Sequence, residues 1–282
     1  MYILAAILSA FFLSTYEILK KKALVKSSVY ETLFFYCFGC FLLSLIFVST
    51  AMTFSGVDVL FVLLKSVIIF ISWTFITKAV AKLDVSVVGP FGLFTTVLVI
   101  IFSAILFDEK IGLAQILSML FIGGGIILLT QLEKNEKKGI ELKYILYLLF
   151  GTALGAVSSL MDKHFIAGRD MDYKGILFWF FLFLSVFYSI VYVIKDKKFE
   201  LVKFGTNYWL IFASIGLFAS DLAYYISIDM DGAKLSIIAI LKKLSVVIST
   251  VMASMFLKEK NLGRKLLILI LMLVGVAMPI LF

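Results

Sequence analysis

The sequence has few charged residues for its length, since Asp, Glu, Lys and Arg make up 16% of its 282 residues. Hydrophobic residues make up 63%, and the mean hydropathy is +1.13. A soluble domain of this length cannot keep so apolar a surface in water, so the composition excludes the soluble globular class. We predict a multi-pass integral membrane protein and expect it in a bacterial inner (cytoplasmic) membrane.

Histidine and cysteine are also scarce. The chain has one histidine, His164, and two cysteines, Cys37 and Cys40, which lie three residues apart in an apolar segment. These are too few ligands for a disulfide framework or a metal site. We therefore predict no metal and no cofactor, and we interpret the two cysteines as small apolar residues.

The motifs of catalysis and of ATP hydrolysis are missing as well. The sequence contains no G-x-x-x-x-G-K loop, no nucleophile motif and no paired acids at helical spacing within an apolar segment. These absences argue against an enzyme and against direct coupling to ATP. The net charge of +8 does not indicate nucleic acid, because the lysines lie mainly at segment ends, where they anchor helices. The expected partners are a small-molecule substrate and membrane lipid, with the protein a monomer or a homodimer.

Apolar segments of about 20 residues, long enough to cross a bilayer, recur along the chain. Hydrocarbon offers no hydrogen bonds to the backbone, so such segments must be helical. The fold class is therefore an all-α integral membrane protein. We predict ten transmembrane helices, at residues 2–19, 30–50, 58–78, 85–107, 111–131, 143–161, 173–194, 208–228, 234–256 and 262–281.

The ten segments form two copies of a five-segment pattern. Tyr2-Ile3-Leu4 recurs as Tyr144-Ile145-Leu146, and Phe107-Asp108-Glu109-Lys110 recurs as Leu257-Lys258-Glu259-Lys260. Five helices is an odd number, so the two copies must lie in the membrane inverted relative to each other. Inverted repeats of this kind are typical of secondary transporters, with the substrate site near the midplane. We predict a first five-helix repeat at residues 1–131, a linker at 132–142 and a second repeat at 143–282.

The loop charges predict an orientation. Eighteen lysines and arginines lie in loops that follow odd-numbered spans, and five lie in loops that follow even-numbered spans. The positive-inside rule then places the odd-numbered loops in the cytoplasm and both termini outside.

Small residues and one proline indicate how the helices pack. Gly151 and Gly155 form a small-xxx-small pair that lets a neighbouring helix approach closely. Pro90, which follows Gly89 near the start of the fourth span, removes a backbone donor and predicts a kink or local unwinding there.

Two site candidates of the first half are charged residues within predicted spans, where an ionisable side chain costs about 2.5–3.5 kcal/mol to insert. Glu17, near the end of the first span, is a candidate for proton coupling, and pairing with Lys20 or Lys21 is the alternative. Lys65 lies about two turns into the third span, on a face that continues through Trp73. We predict that both Lys65 and Trp73 bind substrate, with snorkelling of Lys65 as the alternative.

The second half contributes the remaining candidates. Asp221 lies near the centre of the eighth span, with Tyr224 and Tyr225 on the same face, and this combination suits a cation or a proton. The alternative is that Asp221 pairs with a lysine of the ninth span. Lys242 and Lys243 lie inside that span on adjacent faces, so at least one points into the bundle and suits an anionic group. We predict all five residues as substrate-binding, and Asp221 also as a second candidate for proton coupling.

This pattern resembles the EamA group of the drug/metabolite transporter superfamily. The resemblance rests on two five-helix repeats, each with a short acidic turn after its fourth helix, at Asp108-Glu109-Lys110 and Lys258-Glu259-Lys260, before a glycine-bearing fifth helix. It implies a central cavity lined by the third, fourth, eighth and ninth helices with the first and sixth. Family members usually keep both termini in the cytoplasm, whereas the loop charges here predict the reverse.

The leading functional hypothesis is a secondary active transporter of a small polar metabolite with an anionic group, working by alternating access. A zwitterion would bind both kinds of charge, with its anionic group at the lysines and its amine at Asp221 or Glu17. The alternative is a flippase for a lipid-linked precursor that bears a phosphate, in which the lysines hold the headgroup while the tail stays in the bilayer.

Overall fold

A computed structural model describes residues 2–107, 111–136, 141–196, 207–230, 235–259 and 261–281. Within these ranges the chain is helical nearly throughout and contains no strand. The predicted all-α class is therefore confirmed for the described part of the chain. The helices, in chain order, are α1 (Tyr2–Ala23), α2 (Val29–Ser44), α3 (Val48–Ala51), α4 (Gly56–Val80), α5 (Val85–Phe91), α6 (Phe94–Phe107), α7 (Leu113–Glu136), α8 (Leu142–Lys163), α9 (Tyr173–Asp196), α10 (Tyr208–Asp229), α11 (Leu235–Leu257) and α12 (Leu262–Leu281).

Seven helical segments of the described chain are long and apolar enough to cross a membrane. A shorter apolar helix covers Val85–Leu98. The structure thus supports a multi-pass membrane protein, while the number ten stays a prediction. The seven segments are Tyr2–Ala23, Val29–Ala51, Gly56–Val80, Leu113–Leu132, Leu142–Ile166, Tyr173–Asp196 and Tyr208–Asp229.

The predicted fourth span is interrupted. It divides into α5 and α6 at Gly92 and Leu93, directly after Pro90. The Gly92 N–H bonds to the Gly89 carbonyl at 2.9 Å and the Leu93 N–H to the Pro90 carbonyl at 2.9 Å, both three residues back rather than four. The interruption predicted from Pro90 is confirmed.

The boundary between the predicted repeats is more helical than expected. α7 continues to Glu136 and α8 begins at Leu142, so helix enters the predicted linker at both ends. Residues 137–140 lie outside the described part of the chain. The division into repeats at 1–131 and 143–282 stays a prediction.

The predicted close packing at Gly151 is confirmed. A Cβ atom there would lie 2.6 Å from Cγ1 of Ile76 and 2.9 Å from the Ser72 carbonyl oxygen. The Ser72 hydroxyl donates to the Gly151 carbonyl at 2.7 Å. α8 therefore packs closely on α4, because Gly151 has no side chain to hold the two helices apart.

Aromatic side chains form a large core beside this contact. Tyr36 of α2 and Tyr188 of α9 are fully buried, and the Tyr188 hydroxyl donates to the Phe70 carbonyl of α4 at 2.9 Å. Cys37 and Cys40 are free thiols with no exposed surface in the same core, as the interpretation of small apolar residues predicts.

Two sets of helices surround the centre of the bundle. α1 packs along α10 and α11, and α8 packs along α4 and α6. α5 also packs against α11, which brings the interrupted span to the centre. This arrangement places charged residues of several helices around one space.

Candidate functional site

A cavity of about 270 Å³ lies between six helices of the described bundle. Its lining includes six of the seven predicted substrate-binding residues. The exception, Lys243, does not line the cavity but contacts residues that do. The six lining residues are Lys65, Trp73, Asp221, Tyr224, Tyr225 and Lys242.

Lys65 belongs to a compact polar cluster at one wall of the cavity. Its side chain is 4% exposed and forms an ion pair and hydrogen bond with Asp162 of α8. The Tyr225 hydroxyl donates to the same carboxylate oxygen at 2.8 Å and lies 3.1 Å from the Lys65 nitrogen. The lysine nitrogen also lies 4.6 Å from the centroid of the Phe180 ring. Lys65 therefore does not snorkel, because its charge is neutralised inside the bundle.

Asp162 is a charged residue of the cavity that is absent from the sequence predictions. It lies one position beyond the predicted sixth span, in the last turn of α8, and therefore outside the predicted membrane segments. A helical pattern could have found it: Gly155, Ser159 and Asp162 recur at spacings of four and three residues, and all three line the cavity. The face of α8 that packs on α4 thus continues into a polar face.

Asp221 and Lys242 form the second charged part of the cavity. The Lys242 nitrogen lies 3.6 Å from the centroid of the Tyr224 ring, close enough for a cation–π interaction. In the ranges that the structure describes, the Asp221 carboxylate has no hydrogen bond within 3.5 Å and no ion pair within 4.0 Å. It interacts with the charges of Lys242 and Lys65 at longer range. Asp221 therefore keeps its acceptor sites open towards the cavity.

Lys243 lies at the interruption of the fourth span. Its nitrogen donates to the Gly92 carbonyl at 3.1 Å and to the Thr95 hydroxyl at 2.9 Å. The Thr95 hydroxyl in turn donates to the Gly92 carbonyl at 2.8 Å. Gly92 and Thr95 both line the cavity, so Lys243 holds two residues of the cavity wall without lining the cavity itself.

Trp73 completes the aromatic part of the lining. Its ring centroid lies 5.9 Å from that of Tyr36 and 6.0 Å from that of Phe180. The neighbouring Ser72 contacts Gly151 instead of the cavity. Aromatic faces of Trp73, Phe180 and the two tyrosines thus frame the charged groups.

Glu17 is not among the residues that line the cavity. It lies towards the end of α1 and interacts with the Lys20 charge and with Ser249 of α11. The structure therefore separates the two predicted proton-coupling candidates, with Asp221 in the cavity and Glu17 outside it.

Comparisons with known proteins add a family and a fold. Residues 1–131 match the model of the EamA-like transporter family. No curated protein matches the sequence significantly. A solved structure titled "Crystal structure of protein" resembles the chain with a TM-score of 0.65 at 16% identity, over 99% of this chain and 96% of that one. At this identity the structural match shows a shared fold, and the family match covers the first 131 of the 282 residues.

Proposed function

We propose, from the match of residues 1–131 to the EamA-like transporter family and from the charges of the cavity, that the chain is a secondary active carrier of a small polar metabolite. The substrate site is the cavity of about 270 Å³. One observation carries the proposal: Asp221 and Lys242 bring opposite charges to one cavity without forming a close ion pair in the described structure. An ionisable group at membrane depth needs a partner, and here a substrate can supply it.

The charges of the cavity favour a substrate with an anionic group. Lys65 is already neutralised by Asp162. Lys242 approaches the face of the Tyr224 ring and has no hydrogen bond or ion pair among the residues that the structure describes, so its ammonium group keeps donors for a carboxylate or a phosphate. Asp221 provides acceptors for an ammonium group of the same molecule. A zwitterion satisfies both residues and leaves the cavity without net charge.

The size of the cavity favours a small substrate. A water molecule occupies about 30 Å³ in the liquid, so the space holds on the order of nine waters or one compact metabolite. The aromatic faces of Trp73 and Phe180 offer contact for an apolar part of that molecule.

Alternating access is the proposed mechanism, with two inverted five-helix repeats at 1–131 and 143–282. The helix contacts support it: α1 packs on α10 and α11, whereas α8 packs on α4 and α6. Under the repeat these are equivalent contacts, since α8 corresponds to α1. The first helix of each half thus packs against helices of the opposite half. Rocking of one half against the other would open the cavity to either side.

Proton coupling is proposed through Asp221. Its carboxylate can release a proton when it binds a cationic group and take one up when the site empties. Glu17, which interacts with Lys20 and Ser249 outside the cavity, is the second candidate.

A thermal-shift screen against metabolites tests the proposal directly. A ligand at one hundred times its Kd stabilises the native state by about 2.7 kcal/mol through mass action. The purified protein is heated with zwitterions, with matched amines and with matched acids. The proposal expects zwitterions or acids to raise the melting temperature and Lys242→Met to abolish the rise. A ligand whose effect is the same in Asp221→Asn, Lys242→Met and wild type would place binding elsewhere.

A further inference from the structure

The charged groups of the cavity lie nearer to one end of the bundle than to the other. Lys65 is nine residues from Gly56 and fifteen from Val80, or roughly 14 Å and 22 Å along α4 at 1.5 Å per residue. Lys242 is seven residues from Leu235 and fifteen from Leu257. The end of the bundle that is farther from Lys65 and Lys242 is called the lysine-rich face here. It contains the chain turns at 24–28, 81–84 and 258–259. The turns at 52–55 and 169–172 lie at the opposite face.

At the lysine-rich face, three charged side chains hold the turn between α4 and α5. The Lys21 nitrogen donates to the carbonyls of Val80 and Leu83 at 2.5 Å and 2.8 Å. The Lys265 nitrogen, whose side chain is 1% exposed, forms an ion pair with Asp84 at 3.0 Å. These contacts tie the turn to α1 and to α12.

The third contact comes from the acidic turn that recurs in the sequence. The Glu259 carboxylate accepts hydrogen bonds from the N–H groups of Val85 and Ser86 at 2.8 Å and 3.1 Å. It also accepts a hydrogen bond from the Ser86 hydroxyl. These N–H groups begin α5 and have no partner within that helix. Charge-assisted bonds of this kind are about twice as strong as neutral ones.

We infer that Glu259 is a positioning residue for transport, which latches α5 and keeps the cavity closed at the lysine-rich face. The inference rests on the proposed function, because it assigns a face to alternating access. α5 leads directly to Gly92 and Thr95 of the cavity wall, so release of its first turn frees that wall to move. Lys21 and Lys265 support the same closure by holding the preceding turn.

Labelling of a single cysteine tests the latch without a substrate. Cys37 and Cys40 have no exposed surface, so the wild-type protein is the unlabelled control. Thr152→Cys reports on the cavity from α8. Val25→Cys and Asp170→Cys mark the lysine-rich and the opposite face, since both positions are exposed. A membrane-impermeant thiol reagent is applied to each side of oriented vesicles.

The expected result is directional. Glu259→Gln raises the labelling rate of Thr152→Cys from the lysine-rich face about tenfold, the factor that the loss of one charge-assisted hydrogen bond implies. Labelling from the opposite face does not rise. Lys258→Gln is the matched control, because it removes a neighbouring exposed charge that makes no contact with α5 in the described structure. Ser86→Ala removes a single donor and gives a smaller rise in the same direction.

Three results would overturn the latch. These are an unchanged rate from the lysine-rich face in both Glu259→Gln and Ser86→Ala, an equal rise in Lys258→Gln, and an equal rise from both faces, which indicates general loosening. The measured quantity is the rate of labelling by the thiol reagent, and no substrate is needed. A failed latch therefore leaves the transport proposal intact, and a failed substrate screen leaves the labelling result intact.

Discussion

The Lys242 nitrogen lies 3.6 Å from the centroid of the Tyr224 ring, whereas the adjacent Lys243 donates to the Gly92 carbonyl across the interruption of the fourth span. Two neighbouring lysines on one helix therefore contact different parts of the protein. Lys242 faces the cavity, and Lys243 bonds to the Gly92 carbonyl and the Thr95 hydroxyl beside the break. This difference predicts two distinct phenotypes.

Lys242→Met is expected to weaken substrate binding at least tenfold, since the anionic group loses its charged partner. Lys243→Met is expected to keep binding and to lower the maximal transport rate, because it frees the cavity wall at Gly92 and Thr95. Thermal shift with the ligand measures binding, and uptake into proteoliposomes measures rate. Lys258→Met, at an exposed lysine, is the control. Equal loss of binding in the Lys242 and Lys243 variants would contradict the division of roles.

Asp221→Asn is expected to abolish uptake and to leave the melting temperature nearly unchanged. The reason is that Asp221 has no close ion pair within the described ranges, so the substitution breaks no bond of the folded state. Uptake and thermal unfolding of the same preparation check this. Retained uptake would show that transport does not need the carboxylate. A large fall in melting temperature would show that the carboxylate stabilises the fold.

Asp162→Asn is expected to destabilise the protein by about 3–5 kcal/mol, because Lys65 is left as an unpaired charge inside the bundle. Asparagine keeps an acceptor for the Tyr225 hydroxyl, so the loss reports mainly on the ion pair. The double variant Lys65→Met with Asp162→Asn is expected to recover much of the stability. Unfolding in detergent measures both, and a double variant no more stable than Asp162→Asn would refute the charge argument.

Gly151→Ala is expected to destabilise the protein by about 1–3 kcal/mol, the usual cost of overpacking. Its Cβ atom would meet the Ser72 carbonyl oxygen at 2.9 Å, and backbone atoms cannot move aside easily. Gly123→Ala is the matched control, because its Cβ atom would meet nothing within 4 Å. Melting temperatures compare the two, and a tolerated Gly151→Ala would mean that α8 does not lie on α4 as described.

Several features of the fold could be predicted from the sequence. Hydropathy predicted the all-α membrane class, Pro90 the interruption of the fourth span, and Gly151 the contact of α8 with α4. These features depend on local chemistry, so one segment at a time determines them. The extension of α7 to Glu136 was not predicted, since charged residues at a membrane boundary form helix as readily as loop.

The site was harder to predict because it depends on which helices meet. Six substrate-binding candidates converge on one cavity, but no pattern within α4 or α8 reveals that Lys65 and Asp162 form a pair across 97 positions. Similarly, Lys243 looked like a ligand-binding residue, and only the approach of Gly92 shows a backbone contact. Asp108 to Lys110, the first acidic turn, lie outside the described residues.

The packing of α1 has a consequence for biogenesis. α1 leaves the ribosome before α10 and α11, yet it packs along both of them. Ser220 of α10 donates to the Ser9 carbonyl at 3.0 Å, and Ser14 donates to the Ser245 carbonyl of α11 at 2.9 Å. Until α10 and α11 are inserted, the face of α1 that contains Ser9 and Ser14 contacts lipid or an insertion factor. A truncated nascent chain therefore cannot complete its tertiary structure, however many of its helices have already entered the bilayer.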